Sequence, residues 1–221
     1  GAAITYPLPH FMRHLAPALL SLAVILAAGC GRKASTATST TQSPAPAPKI
    51  LRVGNGAEPQ ELDPQAVAGI PEHRIIVALL EGLVIEDPKD LHPIPGQAES
   101  WDISDDLRTY TFHLRPNLKW SDGEPLTADD FVQSYRRMLS PMLGSEYSYL
   151  LWFVKGAEEF NKGTLTDFSQ VGFKAPDAHT LVVELKSPTP FLLQMIASHY
   201  AWSPVPVKVI ARHGPVDQRR N

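Results

Sequence analysis

Residues 99–138 read ESWDISDDLRTYTFHLRPNLKWSDGEPLTADDFVQSYRRM. Tyr110, Phe112 and Leu114 alternate with Thr111, His113 and Arg115. That is the period-2 pattern of a strand with one buried face, and it puts His113 on the outward side. Ser121-Asp122-Gly123-Glu124-Pro125 is a run of turn formers, with Gly123 free to take positive φ. Thr127 stands at the N-cap of the helix that follows, and Asp130, three residues on, supplies a capping-box-like start. Phe131, Val132, Tyr135, Met138 and Leu139 recur at helical spacing, and Pro141 marks where the helix stops.

Working outward, Ile50 to Gly54 reads as a short entry strand. Pro71 suits N1 of a helix whose apolar face is Ile75, Ile76, Leu79 and Leu80. Gly82 fits the C′ position, while Leu83-Val84-Ile85 reads as the next strand. Downstream, the aromatic and aliphatic mixture from Tyr147 to Phe160 is expected to be helical. Val171 to Lys174 and Leu181 to Leu185 flank a turn-rich loop, which predicts a β-hairpin. Thr189-Pro190 reads as an N-cap followed by Pro at N1, opening a helix through Phe191, Leu192, Met195 and Ile196. Strands and helices alternate irregularly with hairpins among them. The fold class is therefore α/β of the mixed-sheet, α+β-like kind, not a doubly wound parallel sheet.

Composition and motifs exclude more than they assign. The net charge is −3 with acids and bases scattered, so no basic stripe is available for nucleic acid. The acids Asp122, Glu124, Asp129 and Asp130 fall in a turn and a first helical turn, where carboxylates cap and complement the dipole. The eight histidines show neither HxxxH nor HExxH spacing, and no spaced Asp/Asn-Gly loop points to calcium. GxSxG, P-loop and GxGxxG patterns are absent. No metal, cofactor or enzymatic activity is expected. Trp101, Trp120, Phe112 and Phe131 read as core.

The N-terminal region reads as an export signal. Arg13 and His14 precede an uncharged Leu/Ala-rich run, Leu15 to Ala28, that is shorter than the roughly 20 apolar residues of a membrane span. It ends in Ala27-Ala28-Gly29-Cys30, which resembles a bacterial lipobox, with Cys30 expected to be lipidated. Residues 1–11 precede Met12 and are expected to be untranslated. Cys30 is the sole cysteine, so no internal disulfide forms. Residues 31–49 are rich in Ser, Thr, Ala and Pro, without the apolar side chains needed to offset ordering entropy, and read as a flexible tether.

Several words of the chain occur in the order of the extracytoplasmic oligopeptide-binding proteins, the solute-binding components (family 5) of peptide-importing ABC transporters. They are Glu58-Pro59, Leu62-Asp63-Pro64, Gly69-Ile70-Pro71-Glu72, Glu81-Gly82-Leu83, Glu99-Ser100-Trp101, residues 110–115, 119–123 and 127–132, Asp177-Ala178-His179-Thr180-Leu181 and Ser203-Pro204-Val205-Pro206. The chain resembles that family over roughly residues 51–214. The resemblance implies a two-lobed periplasmic-binding-protein fold of the large class, with roughly residues 80–170 a smaller subdomain and the second lobe beyond Asn221. It implies that the chain is an N-terminal portion of a protein that is a monomer when complete. It further implies an oligopeptide ligand, a membrane-embedded ABC permease as partner, and a location in the periplasm or on the outer face of a bacterial membrane, anchored through Cys30. Ligand contacts carry over to Tyr147 or Tyr149 and to the loop Ala68, Gly69 and Ile70. Family members often carry an acidic residue where Ala68 stands, so no charge-based contact is expected there. Relatives of the same fold bind dipeptides, metal chelates, haem or sugars or act as sensors, and that alternative stays open beside peptide import. A secreted, lipid-anchored hydrolase is the third reading, disfavoured by the missing motifs.

Overall fold

The computed structural model describes residues 50–218, so the signal segment, Cys30 and the tether expected over residues 1–49 lie outside it. From Arg52 onward the chain forms one unit. Its order is α1 (Ile70–Leu79), β1 (Val84–Glu86), β2 (Pro93–Pro95), β3 (Ala98–Ile103), β4 (Thr109–Leu114), α2 (Ala128–Met138), α3 (Ala157–Asn161), β5 (Phe173–Lys174), β6 (Thr180–Glu184), α4 (Leu192–Ser198) and α5 (Val207–Ala211), with short 3₁₀ turns between. β1 and β2 form a hairpin, and the main sheet runs β3-β4-β6-β5. Every pairing is antiparallel. This is the mixed α/β architecture expected from the sequence, and the main sheet takes strands from both sides of residue 170.

The alternation in β4 does what its side-chain chemistry requires. Tyr110, Phe112 and Leu114 point into the core while Thr109, Thr111 and His113 stay half-buried on the other face. His113 there pairs with Asp102 of β3 at 2.7 Å. α2 lays Phe131, Ser134, Tyr135 and Met138 over the sheet, one stripe at helical spacing. Full burial of each large apolar side chain contributes about 1.5–3 kcal/mol, and Phe131, Tyr135 and Met138 are all at 0% exposure. The Tyr135 ring meets Phe173 at 4.5 Å and Trp202 edge-on at 5.7 Å. Its hydroxyl donates to the Trp202 carbonyl at 2.9 Å, so the polar atom is satisfied where burial pushes its pKa far above the ordinary value. At the start of α2 the Asp130 carboxylate accepts the Thr127 N–H at 2.8 Å, the reciprocal half of a capping box.

Four local expectations are corrected. Ile50 to Gly54 forms no strand: none of the described strands lies beside it, and Val53 is 74% exposed. α1 starts one residue before Pro71, with Gly69 as N-cap, and runs into an extended C-cap at Leu80, so Gly82 is not its terminator. The stretch from Tyr147 to Phe160 is not one helix. It is a 3₁₀ turn, Ser148–Leu151, and then α3. Gly156 between them has φ 71°, and a Cβ there would stand 3.3 Å from the Gln170 carbonyl. Val154 meanwhile makes an antiparallel bridge to Leu185. Sheet pairing outweighs helix propensity here. Finally, Thr189 does not cap α4, because its hydroxyl donates back to the Ser187 carbonyl and the N-cap residue is Phe191.

Candidate functional site

The first expected contact segment is held from below by α2. Asp63 accepts the Gln65 N–H at 3.0 Å and its carbonyl receives the Ala66 and Val67 N–H groups, which closes a turn. Arg137 of α2 grips Asp63 through both terminal nitrogens, at 3.1 and 2.6 Å, and donates to Gln65 Oε1 at 2.8 Å and to the Val216 carbonyl. Gln65 Nε2 returns a bond to the Ser134 carbonyl at 2.8 Å. The fork shape of the guanidinium suits this bidentate grip.

This anchored turn delivers Ala68, Gly69 and Ile70 to the head of α1. Gly69 has φ 153°, a backbone conformation that side chains rarely adopt, and a Cβ there would meet the Glu72 carboxylate. Glu72 is buried and accepts the Gln60 N–H at 2.9 Å, which ties the preceding chain to the helix start. Ile70 is left 69% exposed and Ala68 half-buried.

The second segment is held by Asn161. Its side-chain oxygen accepts from Ser148 Oγ and Trp152 Nε1, both at 3.1 Å, and its amide donates to the Leu139 carbonyl at 3.0 Å. Tyr147 is thereby fixed half-buried, with the 50%-exposed Tyr149 ring 6.4 Å away.

Both segments converge on Tyr200. Its hydroxyl donates to the Val67 carbonyl at 3.2 Å, next to Ala68, and its ring meets Tyr147 edge-on at 5.9 Å. His199 stands 4.5 Å from Tyr147 in T-shaped contact, and His73 of α1 lies 5.4 Å from Tyr200 and 6.3 Å from His199. Burial raises the Tyr200 pKa, and the neighbouring Tyr147 and Glu72 add to that rise. Burial, helped by His73, lowers that of His199 to about 4. The result is a shelf of tyrosine and imidazole rings beside the Val67 carbonyl, just before the Ala68–Ile70 loop. It continues into a cleft of about 230 Å³ lined by His73, Val77, Leu80, Ile85, Ile196 and His199 among others. Such a surface offers flat apolar faces and a few neutral hydrogen-bonding atoms.

Ala68, Gly69, Ile70, Tyr147 and Tyr149 are therefore brought to one region. Sequence reasoning missed Tyr200, His199 and His73. The two histidines carry no metal spacing that would single them out. The available signal was the His199-Tyr200 pair just before Ser203-Pro204-Val205-Pro206, but its link to Val67 spans 133 residues and no local pattern carries it.

The carboxylates of the central block do local work, as expected. Asp122 accepts the Glu124 N–H at 3.1 Å, and Asp129 meets Gln133 within α2. Asp87, Asp90 and His92 cluster in the exposed β1–β2 turn. There Asp87 accepts the Lys89 N–H at 2.8 Å, and Asp90 pairs with His92, a contact that lowers the Asp90 pKa and raises that of His92. These bonds account for the cluster as turn structure.

Comparison with known proteins places the chain among relatives. Residues 92–217 match the model of the bacterial extracellular solute-binding proteins, family 5 (middle region). The periplasmic oligopeptide-binding protein OppA of Escherichia coli (strain K12) is 39% identical over 198 residues, 89% of this chain and 36% of that protein. The "Probable deoxycholate-binding periplasmic protein YgiS" of the same organism is 40% identical over 168 residues, 75% of this chain and 31% of that protein. Among solved structures, Haemophilus influenzae OppA in complex with the peptide RPPGFSPFR superposes with a TM-score of 0.69 at 38% identity, over 75% of this chain and 32% of that one. The chain thus spans about a third of the length of the curated relatives it matches.

Proposed function

The chain belongs to the family 5 bacterial extracellular solute-binding proteins, and from that premise we propose that it is part of a protein that captures oligopeptides outside the cytoplasmic membrane and delivers them to an ABC permease. The observation that supports this reading is the junction at Tyr200, whose hydroxyl bonds to the Val67 carbonyl just before the Ala68–Ile70 loop and whose ring meets Tyr147. An extended peptide laid there exposes main-chain donors and acceptors that are the same for every sequence. Its side chains extend into hydrated space where water adapts to each of them. In this reading Ala68, Gly69, Ile70, Tyr147 and Tyr149 touch the ligand. A second lobe closes over it and creates the shape the permease recognises. Roughly residues 80–170, joined by the β5–β6 hairpin that completes their sheet, act as a subdomain beside the first lobe. Lipidated Cys30 and the tether of residues 31–49 hold the body, monomeric, at the periplasmic or outer face of a membrane.

The role is binding without turnover. Titrating the intact protein calorimetrically with short peptides of mixed sequence tests it. We expect saturable binding, weakened about tenfold by Tyr147→Ala, the loss typical of a buried aromatic contact. Absence of heat with every peptide contradicts the reading, and so does hydrolysis of the peptide in excess. A second reading, the same fold holding a non-peptide ligand, draws on the lack of a carboxylate at Ala68 and on the relative named for deoxycholate binding.

A further inference from the structure

We propose that His199 is a proton-sensitive cap: protonation of its imidazole uncaps the 3₁₀ turn Tyr200–Trp202 and loosens the Tyr200 seam, so that the protein slackens its hold on ligand in acid. Only the last step, the effect on ligand, rests on the peptide-binding reading. The turn follows α4 directly, and His199 is its N-cap residue. Side-chain caps are ordinarily Ser, Thr, Asp or Asn, none of which titrates near neutrality. Here the acceptor is an imidazole nitrogen, Nδ1, which receives the Ala201 N–H at 3.1 Å. An imidazolium carries hydrogens on both nitrogens and accepts no hydrogen bond. Turning the ring over presents a carbon to Ala201, so no orientation of the cation restores the cap.

What the cap holds is buried and connected. Ala201 is at 0% exposure, so its N–H is shut off from water once released. The far end of the turn is pinned to α2, because the Trp202 carbonyl accepts the Tyr135 hydroxyl. Release is therefore felt at the near end, which is Tyr200. Its hydroxyl donates to the Val67 carbonyl at 3.2 Å and its ring meets Tyr147 at 5.9 Å. Loosening the turn frees both the segment that leads into Ala68–Ile70 and the one that carries Tyr147.

The His199 ring faces His73 of α1 at 6.3 Å, Tyr147 at 4.5 Å and Tyr200 at 4.6 Å between ring centres. Glu72 of α1 and Glu146, beside Tyr147, act on the same cluster, and Glu86 of β1 lines the same cleft. These acids do not reverse the balance. Burial first, and His73 second, hold the His199 pKa at about 4, below the ordinary 6.5. Between those two values the folded protein binds fewer protons at this ring than the unfolded chain does. The stability it contributes is complete above pH 6.5 and is lost as the pH falls toward 4.

The test uses the intact protein and His199→Asn, whose side-chain oxygen can take the place of Nδ1 in the cap and does not titrate. Histidine ¹⁵N spectra of the unmutated protein should show His199 as the Nε2–H tautomer at pH 7, titrating with a midpoint near 4. Its melting temperature should fall further between pH 6.5 and 4 than that of His199→Asn. Calorimetry with a mixture of short peptides compares the two proteins at each pH, which cancels titration of the peptides themselves. Relative to the ratio at pH 7, the unmutated protein should lose about twofold in affinity at pH 4 and about fourfold at pH 3.5. A midpoint near 6.5, an Nδ1–H tautomer, or identical pH dependence of melting in the two proteins overturns the cap. An affinity ratio that stays constant with pH overturns the release of ligand. Failure of the unmutated protein to bind any peptide at pH 7 overturns the release step together with the reading beneath it, and the spectra and melting then decide the cap by themselves.

Discussion

Gly69 is where a single atom decides local geometry. A methyl group there would stand 2.4 Å from Glu72 Oε2 in a backbone conformation side chains rarely adopt. Gly69→Ala must therefore push Glu72 off the Gln60 N–H or distort the head of α1, at a cost of about 1–3 kcal/mol. Thermal melting of the intact protein should show that loss, with weaker peptide affinity because Ala68 and Ile70 flank the displaced residue. A variant with unchanged melting and affinity would show that the loop is not rigidly placed. Tyr200 works at the same scale through one hydroxyl. Its bond to Val67 is the seam between two segments far apart in sequence.

At the scale of elements, α2 joins the sheet below it to the loop beside it. Its start depends on Asp130, which accepts the Thr127 N–H and lies 3.4 Å from Lys208 of α5. Asp130→Ala should cost about 1 kcal/mol through the lost cap, measured by urea unfolding with an unchanged slope. A change below a few tenths would show that the cap is redundant. This helix, β4 and the β5–β6 hairpin were legible in the sequence, because their periodicity and capping residues agree with the tertiary structure. The segment after Tyr147 was misread as one helix because the Val154–Leu185 bridge and the positive φ of Gly156 depend on a distant strand and on backbone angles that residue spacing does not encode. Thr189 was misread for a related reason. Its N–H donates to the Leu107 carbonyl, and that contact sets the chain's approach to α4. The loop and the tyrosines of the shelf were reached through family resemblance, whereas His73, His199 and Tyr200 carry no local signature.

At the scale of the whole molecule, Arg137 ties the loop that precedes the shelf to the body of the fold. Its side chain is 3% exposed and its partner Asp63 27%. Arg137→Met leaves that carboxylate without its cation and the Gln65 oxygen without its Arg137 donor, and should cost about 3 kcal/mol. Melting should fall and peptide affinity with it, while loss of stability with full affinity would separate the clamp from the site. The central claim, that the shelf belongs to a peptide-capturing protein, is tested most directly by what the molecule carries. Purifying the intact protein without denaturation and identifying its bound contents by mass spectrometry should yield a heterogeneous set of short peptides. A single non-peptide compound in every preparation would contradict the account.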